Sequence, residues 1–159
     1  MLFSSADGSQ CLLLTEEATS SIRACAREWY PLETGGILVG TYDENYRVAT
    51  VYLASGPPSD SQHSLYQFIR GTNGISELLE RAHQLPTPRY YLGEWHTHPA
   101  ASPKASLTDK KQMNAFADCR LYGASSPVLL IVGGKPPHAL QWQASVYQKN
   151  RPAQNLWPL

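Results

Sequence analysis

The chain has 159 residues, of which 42% are hydrophobic and 16% charged, and its formal net charge is zero. This length suits one domain, which can bury roughly 70% of its unfolded surface without support from disulfides. The balanced charge, with no basic run or acidic tail, gives no basis for a partner that is nucleic acid or an anionic membrane.

Cysteine usage and the first residues favour a cytoplasmic protein. The chain has three cysteines, an odd number, with no CxxC pair: Cys11, Cys25 and Cys119. We therefore expect reduced, mostly buried thiols, with a reactive thiol as the alternative. The first ten residues lack the charged and apolar regions of a signal peptide. The longest apolar runs are much shorter than a membrane span.

Helical spacing of apolar residues predicts three helices. Thr15 is placed to cap the first helix, which ends before Pro31. Asn73 is placed to cap the second, and the third is expected to extend from about Leu107 to Leu121, with Leu121 facing inward. These helices alternate along the chain with predicted strands, which indicates a mixed α+β fold around one sheet.

The predicted strands are short runs that are apolar throughout or alternate between apolar and polar residues. They cover residues 11–14, 37–40, 46–54, 65–69, 89–95, 128–132 and 140–146. Residues 128–132 are all apolar, which predicts a central strand covered on both faces. Residues 55–64 have loop composition. We therefore predict one domain over residues 10–148, after a loose N-terminus at residues 1–9 and before an irregular tail at residues 149–159.

Two histidines, His96 and His98, follow a predicted strand at a spacing of two. Because side chains in a strand alternate between faces, both imidazoles should project from one face and could bind the same ion. Asp109 can add a carboxylate oxygen from the next element. Two nitrogens and one oxygen suit a catalytic zinc ion, which keeps a fourth position open, whereas structural zinc usually has four ligands rich in cysteine.

Hydrolysis at such a site also needs a base and a group that stabilises the oxyanion. Glu33, just before a strand flanked by glycines, is the candidate base that would take a proton from water and deliver it to a leaving amine. Ser106 could donate a hydrogen bond to the oxyanion that forms on the attacked carbonyl.

Each part of this pattern also has an ordinary structural interpretation. Ser106 and Asp109 fit a helix capping box, a role that could coexist with catalysis. Glu33 alone would be a surface loop residue. Glu94 lies on the same predicted face as the histidines and could support them, but a solvated strand residue is favoured. Three further histidines are interpreted as surface residues: His63, His83 and His138. The presence of all these residues together indicates a catalytic zinc site much more specifically than any one of them does.

The segments Glu33, His96-Thr97-His98-Pro99 and Ser106-Leu107-Thr108-Asp109 together resemble the signature of the JAMM (MPN+) zinc metalloproteases, including the spacing between His98 and Ser106. The flanking stretches ETGGILVG and YLGEWHTHP are similar to the compact bacterial branch of that family. The resemblance covers most of the chain. It departs at Ala105, where many relatives have proline, which affects the rigidity of that loop but not the ligands.

The resemblance implies a twisted, partly closed β-sheet flanked by about three helices. It implies one zinc ion per chain on His96, His98 and Asp109, with Glu33 as general base and Ser106 on the oxyanion. The implied activity is hydrolysis of the isopeptide or peptide bond after the C-terminal tail of a ubiquitin-like protein. Members of the bacterial branch accompany conjugation enzymes in anti-phage CBASS operons, which implies a conjugated nucleotidyltransferase as partner, with activating and conjugating enzymes from the same operon.

Other functions are less compatible with the sequence. A TIM-barrel hydrolase needs about 250 residues, and a zinc nucleobase deaminase needs a Pro-Cys-x-x-Cys segment that this chain lacks. An enzyme of the same fold that processes sulfur carriers or small peptides would share every catalytic residue. A non-catalytic scaffold of the same fold would be expected to lack the metal ligands, which are all present here.

Overall fold

A computed structural model describes residues 1–119 and 123–159 of the chain. Its helices are α1 (Glu16–Trp29), α2 (Ile75–His83) and α3 (Leu107–Cys119). Its strands are β1 (Leu2–Ser5), β2 (Cys11–Leu14), β3 (Gly35–Tyr42), β4 (Val48–Ala54), β5 (Gln62–His63), β6 (Phe68–Ile69), β7 (Tyr90–Pro99), β8 (Val128–Lys135), β9 (Ala139–Val146) and β10 (Gln154–Pro158). The predicted mixed α+β class is confirmed. None of these helices combines the length and the apolar character needed to cross a membrane.

Eight strands form a closed barrel in the order β1-β10-β9-β8-β7-β3-β4-β2. The pairs β7–β8 and β2–β4 are parallel, and the other neighbours in the barrel are antiparallel. The sheet expected to be partly closed is therefore closed in this protein. Strands β5 and β6 form a separate two-stranded hairpin, so the prediction of loop up to residue 64 was wrong at Gln62 and His63.

The two ends of the chain close the barrel. Strand β1 pairs antiparallel with β10, with Phe3 opposite Pro158, and the side chains of Phe3 and Leu156 are completely buried. The expectations of a loose N-terminus and an irregular C-terminal tail were therefore wrong for residues 2–5 and 154–158. The pairing of β1 with β10 joins opposite ends of the chain, and no local sequence pattern indicates it.

The barrel interior and the helices bury the two faces of the sheet. Ala18 and Ile22 of α1 pack into the main core with residues of the barrel strands. Along β8, Leu130 belongs to this core, whereas the adjacent Leu129 and Ile131 pack with Met113 of α3. The prediction that β8 is covered on both faces is confirmed, and α3 is thereby packed against β8.

The helix starts follow local chemistry in part. Thr15 caps α1, because its hydroxyl accepts a hydrogen bond from the backbone N–H of Ala18 at 3.2 Å. The predicted cap at Asn73 was wrong, since the N-cap of α2 is Gly74, with φ of 78°, and no side chain caps this helix. Asn73 instead donates a side-chain hydrogen bond to Ser59. Leu121, expected to face inward on the third helix, lies outside the described residues.

Candidate metal centre

The end of β7 places two imidazoles side by side. The Nε2 atoms of His96 and His98 are 3.1 Å apart, and both rings are partly buried. Trp95 and Thr97, which alternate with them, are buried. The structure therefore brings the two histidines together on one strand face, as their spacing of two predicts.

Asp109 reaches these imidazoles from the first turn of α3. Its Oδ1 is 3.4 Å from Nε2 of His96, and its Oδ2 is 3.7 Å from Nε2 of His98. The carboxylate is held by a capping box, because Asp109 accepts from the backbone N–H of Ser106 at 2.7 Å and Ser106 Oγ accepts from that of Asp109 at 3.1 Å. Helix capping thus positions the third candidate ligand.

The donor set fits one small divalent cation. Ligand atoms of His96, His98 and Asp109 all lie within 4.8 Å of one another. In tetrahedral zinc sites the bonds of about 2.0–2.2 Å place ligand atoms roughly 3.3–3.6 Å apart. The separations of 3.1, 3.4 and 3.7 Å lie around that range. Three protein ligands would leave a fourth position for water or substrate.

The surroundings favour the protonation states that metal ligands need. Burial alone would raise the pKa of Asp109, but its hydrogen bond and charge interaction with His96 and its hydrogen bonds with Ser106 lower that pKa well below its ordinary value. Burial lowers the pKa of His98, as does the charge of His96, against the opposing effects of Asp109 and a hydrogen bond with the backbone of Ser102. An ionised carboxylate and a neutral imidazole are the forms that bind metal.

Glu33 lies beside this cluster, two residues before β3. Its position follows from a link between β3 and β7, in which Thr97 N–H donates to the Thr34 carbonyl at 2.8 Å and Thr34 N–H donates to Thr97 Oγ1 at 3.0 Å. Burial raises the pKa of Glu33 to about 7, a shift that His96 opposes and Asp109 increases. A carboxyl group with such a pKa can exchange protons near neutral pH.

All five residues predicted from the sequence line one cleft, which has a volume of about 640 Å³. They are Glu33, His96, His98, Ser106 and Asp109. Leu65 and Tyr66, which connect β5 to β6, lie at the cleft with 50% and 89% of their surface exposed. The cleft is therefore polar at the metal ligands and has exposed apolar side chains at the hairpin.

Sequence reasoning missed an ion pair in the wall of this cleft. Glu94 was expected to be solvated, but it is buried and accepts hydrogen bonds from Arg70 Nε at 2.6 Å and Arg70 Nη2 at 3.0 Å. Tyr91 donates a third at 2.7 Å. Burial raises the pKa of Glu94, and Arg70 opposes this shift. The sequence predicted that Glu94 shares a strand face with the histidines. It did not predict that Arg70 would pair with Glu94.

A second omission is His63, which was interpreted as a surface residue. Its ring stacks on Trp29, with centroids 3.6 Å apart and an interplanar angle of 8°. Its Nδ1 lies 2.9 Å from the backbone carbonyl oxygen of Glu33. No local pattern could have indicated this, because the three residues come from the end of α1, the approach to β3 and the hairpin.

Comparisons with known proteins identify a family and several relatives. Residues 15–145 match the family described as prokaryotic homologs of the JAB domain. A CD-NTase/cGAS isopeptidase from Enterobacter hormaechei is 40% identical over 114 residues, which cover 72% of this chain and 62% of the relative. Another protein of that name from Vibrio cholerae is 29% identical over 81% of each chain. A probable metalloprotease, y4qB of Sinorhizobium fredii, is 28% identical over 79% of this chain and 80% of its own length.

The fold is also found among solved structures. The solution structure of protein DSY2949 from Desulfitobacterium hafniense aligns with a TM-score of 0.60 and 21% identity, covering 91% of this chain and 88% of the other. At that identity the likeness concerns the fold alone. The aligned part spans about 62% of the length of the Enterobacter hormaechei relative, so that protein is the larger of the two.

Proposed function

Because the chain belongs to the family of prokaryotic homologs of the JAB domain, we propose that it is a zinc-dependent isopeptidase that removes a ubiquitin-like protein or a C-terminally conjugated protein from its target. The observation that supports this most directly is the convergence of His96, His98 and Asp109 in a cleft that also contains Glu33 and Ser106. A scaffold that only binds partners would not need this set of side chains.

The substrate we propose is a CD-NTase joined to its target through its C-terminus. The support comes from the names of the relatives in Enterobacter hormaechei and Vibrio cholerae, both called CD-NTase/cGAS isopeptidases. Such an enzyme would act in the cytoplasm, in a CBASS-type anti-phage system, together with activating and conjugating enzymes. A ubiquitin-like protein would present the same kind of flexible C-terminal tail to the cleft.

The side chains of the cleft have complementary roles in hydrolysis. His96, His98 and Asp109 would hold the zinc ion, which would supply Lewis-acid chemistry to a carbonyl group and to water in the cleft. The Glu33 carboxylate takes a proton from the attacking water and passes it to the nitrogen of the leaving amine. Ser106 lines the same cleft, and its hydroxyl donates a hydrogen bond to the oxyanion that develops on the attacked carbonyl.

The shape of the cleft suits an extended tail. Strands β5 and β6 pair with each other beside the cleft, and a tail could add to this hairpin by backbone hydrogen bonds. We propose that residues 55–70 and residues 99–105 form the two walls. Both segments are short, so the enzyme should bind the C-terminal tail of the substrate and make little contact with the folded domain that precedes the tail.

Two substitutions and a zinc measurement test the proposal. Glu33→Ala should keep the fold and one zinc ion per chain but stop cleavage of a CD-NTase conjugate, because the proton acceptor is gone. His96→Ala should lose zinc, measured by elemental analysis, with His138→Ala as the surface control. Chelators should inhibit, whereas thiol-blocking reagents should not. Wild-type cleavage by Glu33→Ala, or unchanged zinc content in His96→Ala, would contradict the assignment.

A further inference from the structure

The main chain at Glu33 is held by the β5–β6 hairpin. Glu33 precedes β3 and is not part of a strand. Its backbone N–H donates to the carbonyl of Ser64 at 2.8 Å, and its own carbonyl oxygen lies 2.9 Å from Nδ1 of His63. The carboxylate also interacts with the backbone of Phe68. Three contacts from one hairpin therefore hold this residue, in addition to the hydrogen bonds between Thr34 and Thr97.

The ring of His63 is held in turn by two aromatic neighbours. It stacks face to face on Trp29 at 3.6 Å, and the ring of Phe68 lies 5.1 Å away at an interplanar angle of 44°. Trp29 is the last residue of α1, whose buried side chains Ala18 and Ile22 anchor that helix in the main core. The position of the imidazole is thus set by a rigid element and not only by the hairpin.

The hydrogen bond between His63 and Glu33 has one direction. A backbone carbonyl oxygen can only accept, so Nδ1 of His63 must hold the hydrogen. Two properties of the side chain matter here: a flat face that stacks on Trp29, and a donor at the Nδ1 position. Phenylalanine has the first without the second, and asparagine has the second without the first.

We propose that His63 is a positioning residue for Glu33: stacked on Trp29, it holds the Glu33 carbonyl through Nδ1–H and so orients the carboxylate toward the water that attacks the substrate. His63 does not itself touch the reacting atoms. The inference rests on the proposed function, because it assumes that Glu33 accepts the proton. A displacement of about 1 Å in a reacting group can cost roughly a hundredfold in rate.

The test compares His63→Phe and His63→Asn with wild type and with the exposed control His138→Phe. The substrate is a CD-NTase joined through its C-terminal residue to green fluorescent protein, and zinc content is measured for each variant. His63→Phe should lower kcat by about ten- to a hundredfold with KM changed by less than about twofold, because orientation and not binding is lost. His63→Asn, which restores a donor but not the stacking face, should recover part of the lost kcat. All variants should hold one zinc ion per chain.

Three results would overturn the inference: wild-type kcat in His63→Phe, no recovery in His63→Asn, or loss of zinc from either variant. The last would show that the residue supports the metal ligands or the fold and does not act through Glu33. The Glu33→Ala variant, assayed in parallel, separates this inference from the proposed function. An active Glu33→Ala overturns both, whereas an inactive Glu33→Ala beside a fully active His63→Phe overturns only the role of His63.

Discussion

Arg70 and Glu94 form an ion pair with two hydrogen bonds in the wall of the cleft, and only 8% and 9% of their side chains are exposed. Removing one partner of such a pair leaves an uncompensated buried charge. We expect Arg70→Met to lower the free energy of unfolding by about 3–5 kcal/mol at pH 8. Urea unfolding measures the change, and the exposed Arg81→Met serves as the matched control.

The same variant should show a pH dependence. Burial raises the pKa of Glu94 and Arg70 opposes this shift, so without Arg70 the folded protein should bind a proton more readily than the unfolded chain. The loss of stability caused by the unpaired Glu94 carboxylate is therefore small at low pH, where this group is protonated. It increases as pH rises through the pKa of Glu94 in the folded state. We expect a smaller loss of stability at pH 5 than at pH 8, and an equal loss at both would argue against a charge effect.

Ser106 should have two separable roles. Ser106→Ala removes the helix cap, which typically costs about 0.5–2 kcal/mol, and also removes the proposed oxyanion donor, which typically costs about 10²–10³ in kcat. Ser106→Gly should lower kcat as much as Ser106→Ala does. It should lower the free energy of unfolding by only about a few tenths of a kcal/mol, because glycine is tolerated at the N-cap. Thermal unfolding and steady-state kinetics measure the two effects. If Ser106→Ala loses stability while turnover stays normal, Ser106 only caps α3.

Gly35 should be needed for the position of His96. The two residues are opposite each other in β3 and β7, and a Cβ on Gly35 would meet the backbone oxygen of Trp95 and would lie 2.8 Å from both His96 Cβ and the Phe68 ring. We expect Gly35→Ala to weaken zinc binding by at least about tenfold, because misplaced ligands bind less well. Gly56→Ala is the control, since its Cβ would meet only Cys25 Sγ at 3.8 Å. Zinc competition with a chromogenic chelator compares them, and equal affinities would contradict the prediction.

Glu33 should make the stability of the metal-free protein depend on pH. Burial raises its pKa from 4.5 to about 7. Between these values the folded protein binds the proton more tightly than the unfolded chain, so the stability from this group is fully present below about pH 4.5 and is lost as pH rises through about 7. In the presence of chelator, Glu33→Gln should lose less stability than wild type between pH 4.5 and 8. If the free energy of unfolding of wild type and Glu33→Gln changed equally between pH 4.5 and 8, the raised pKa of Glu33 would be refuted.

The parts of the molecule that follow local rules were predictable from the sequence. The spacing of His96 and His98 places them on one strand face, and the spacing of Ser106 and Asp109 predicts the reciprocal cap that the structure contains. Both patterns depend on residues a few positions apart. Their geometry follows from backbone periodicity, which a single sequence displays directly.

The parts that depend on distant partners were not predictable. Glu94 is buried because Arg70 approaches it from a segment 24 residues earlier, and His63 is held by Trp29 of a different element. In both cases a polar side chain that would be exposed on its own element is covered by another one. Burial of this kind depends on how the elements pack, and no spacing along the chain records it.

The pairing of β1 with β10 leaves every barrel strand flanked on both sides. Within the described residues, no barrel strand is therefore an edge strand to which an incoming peptide could add along its length. The separate two-stranded hairpin at Gln62–Ile69 has strand edges of this kind, and it also holds the main chain at Glu33. A substrate peptide paired with this hairpin would change the hydrogen bonds that the hairpin makes to the main chain of Glu33. Substrate binding would therefore be coupled to proton transfer by the Glu33 carboxylate.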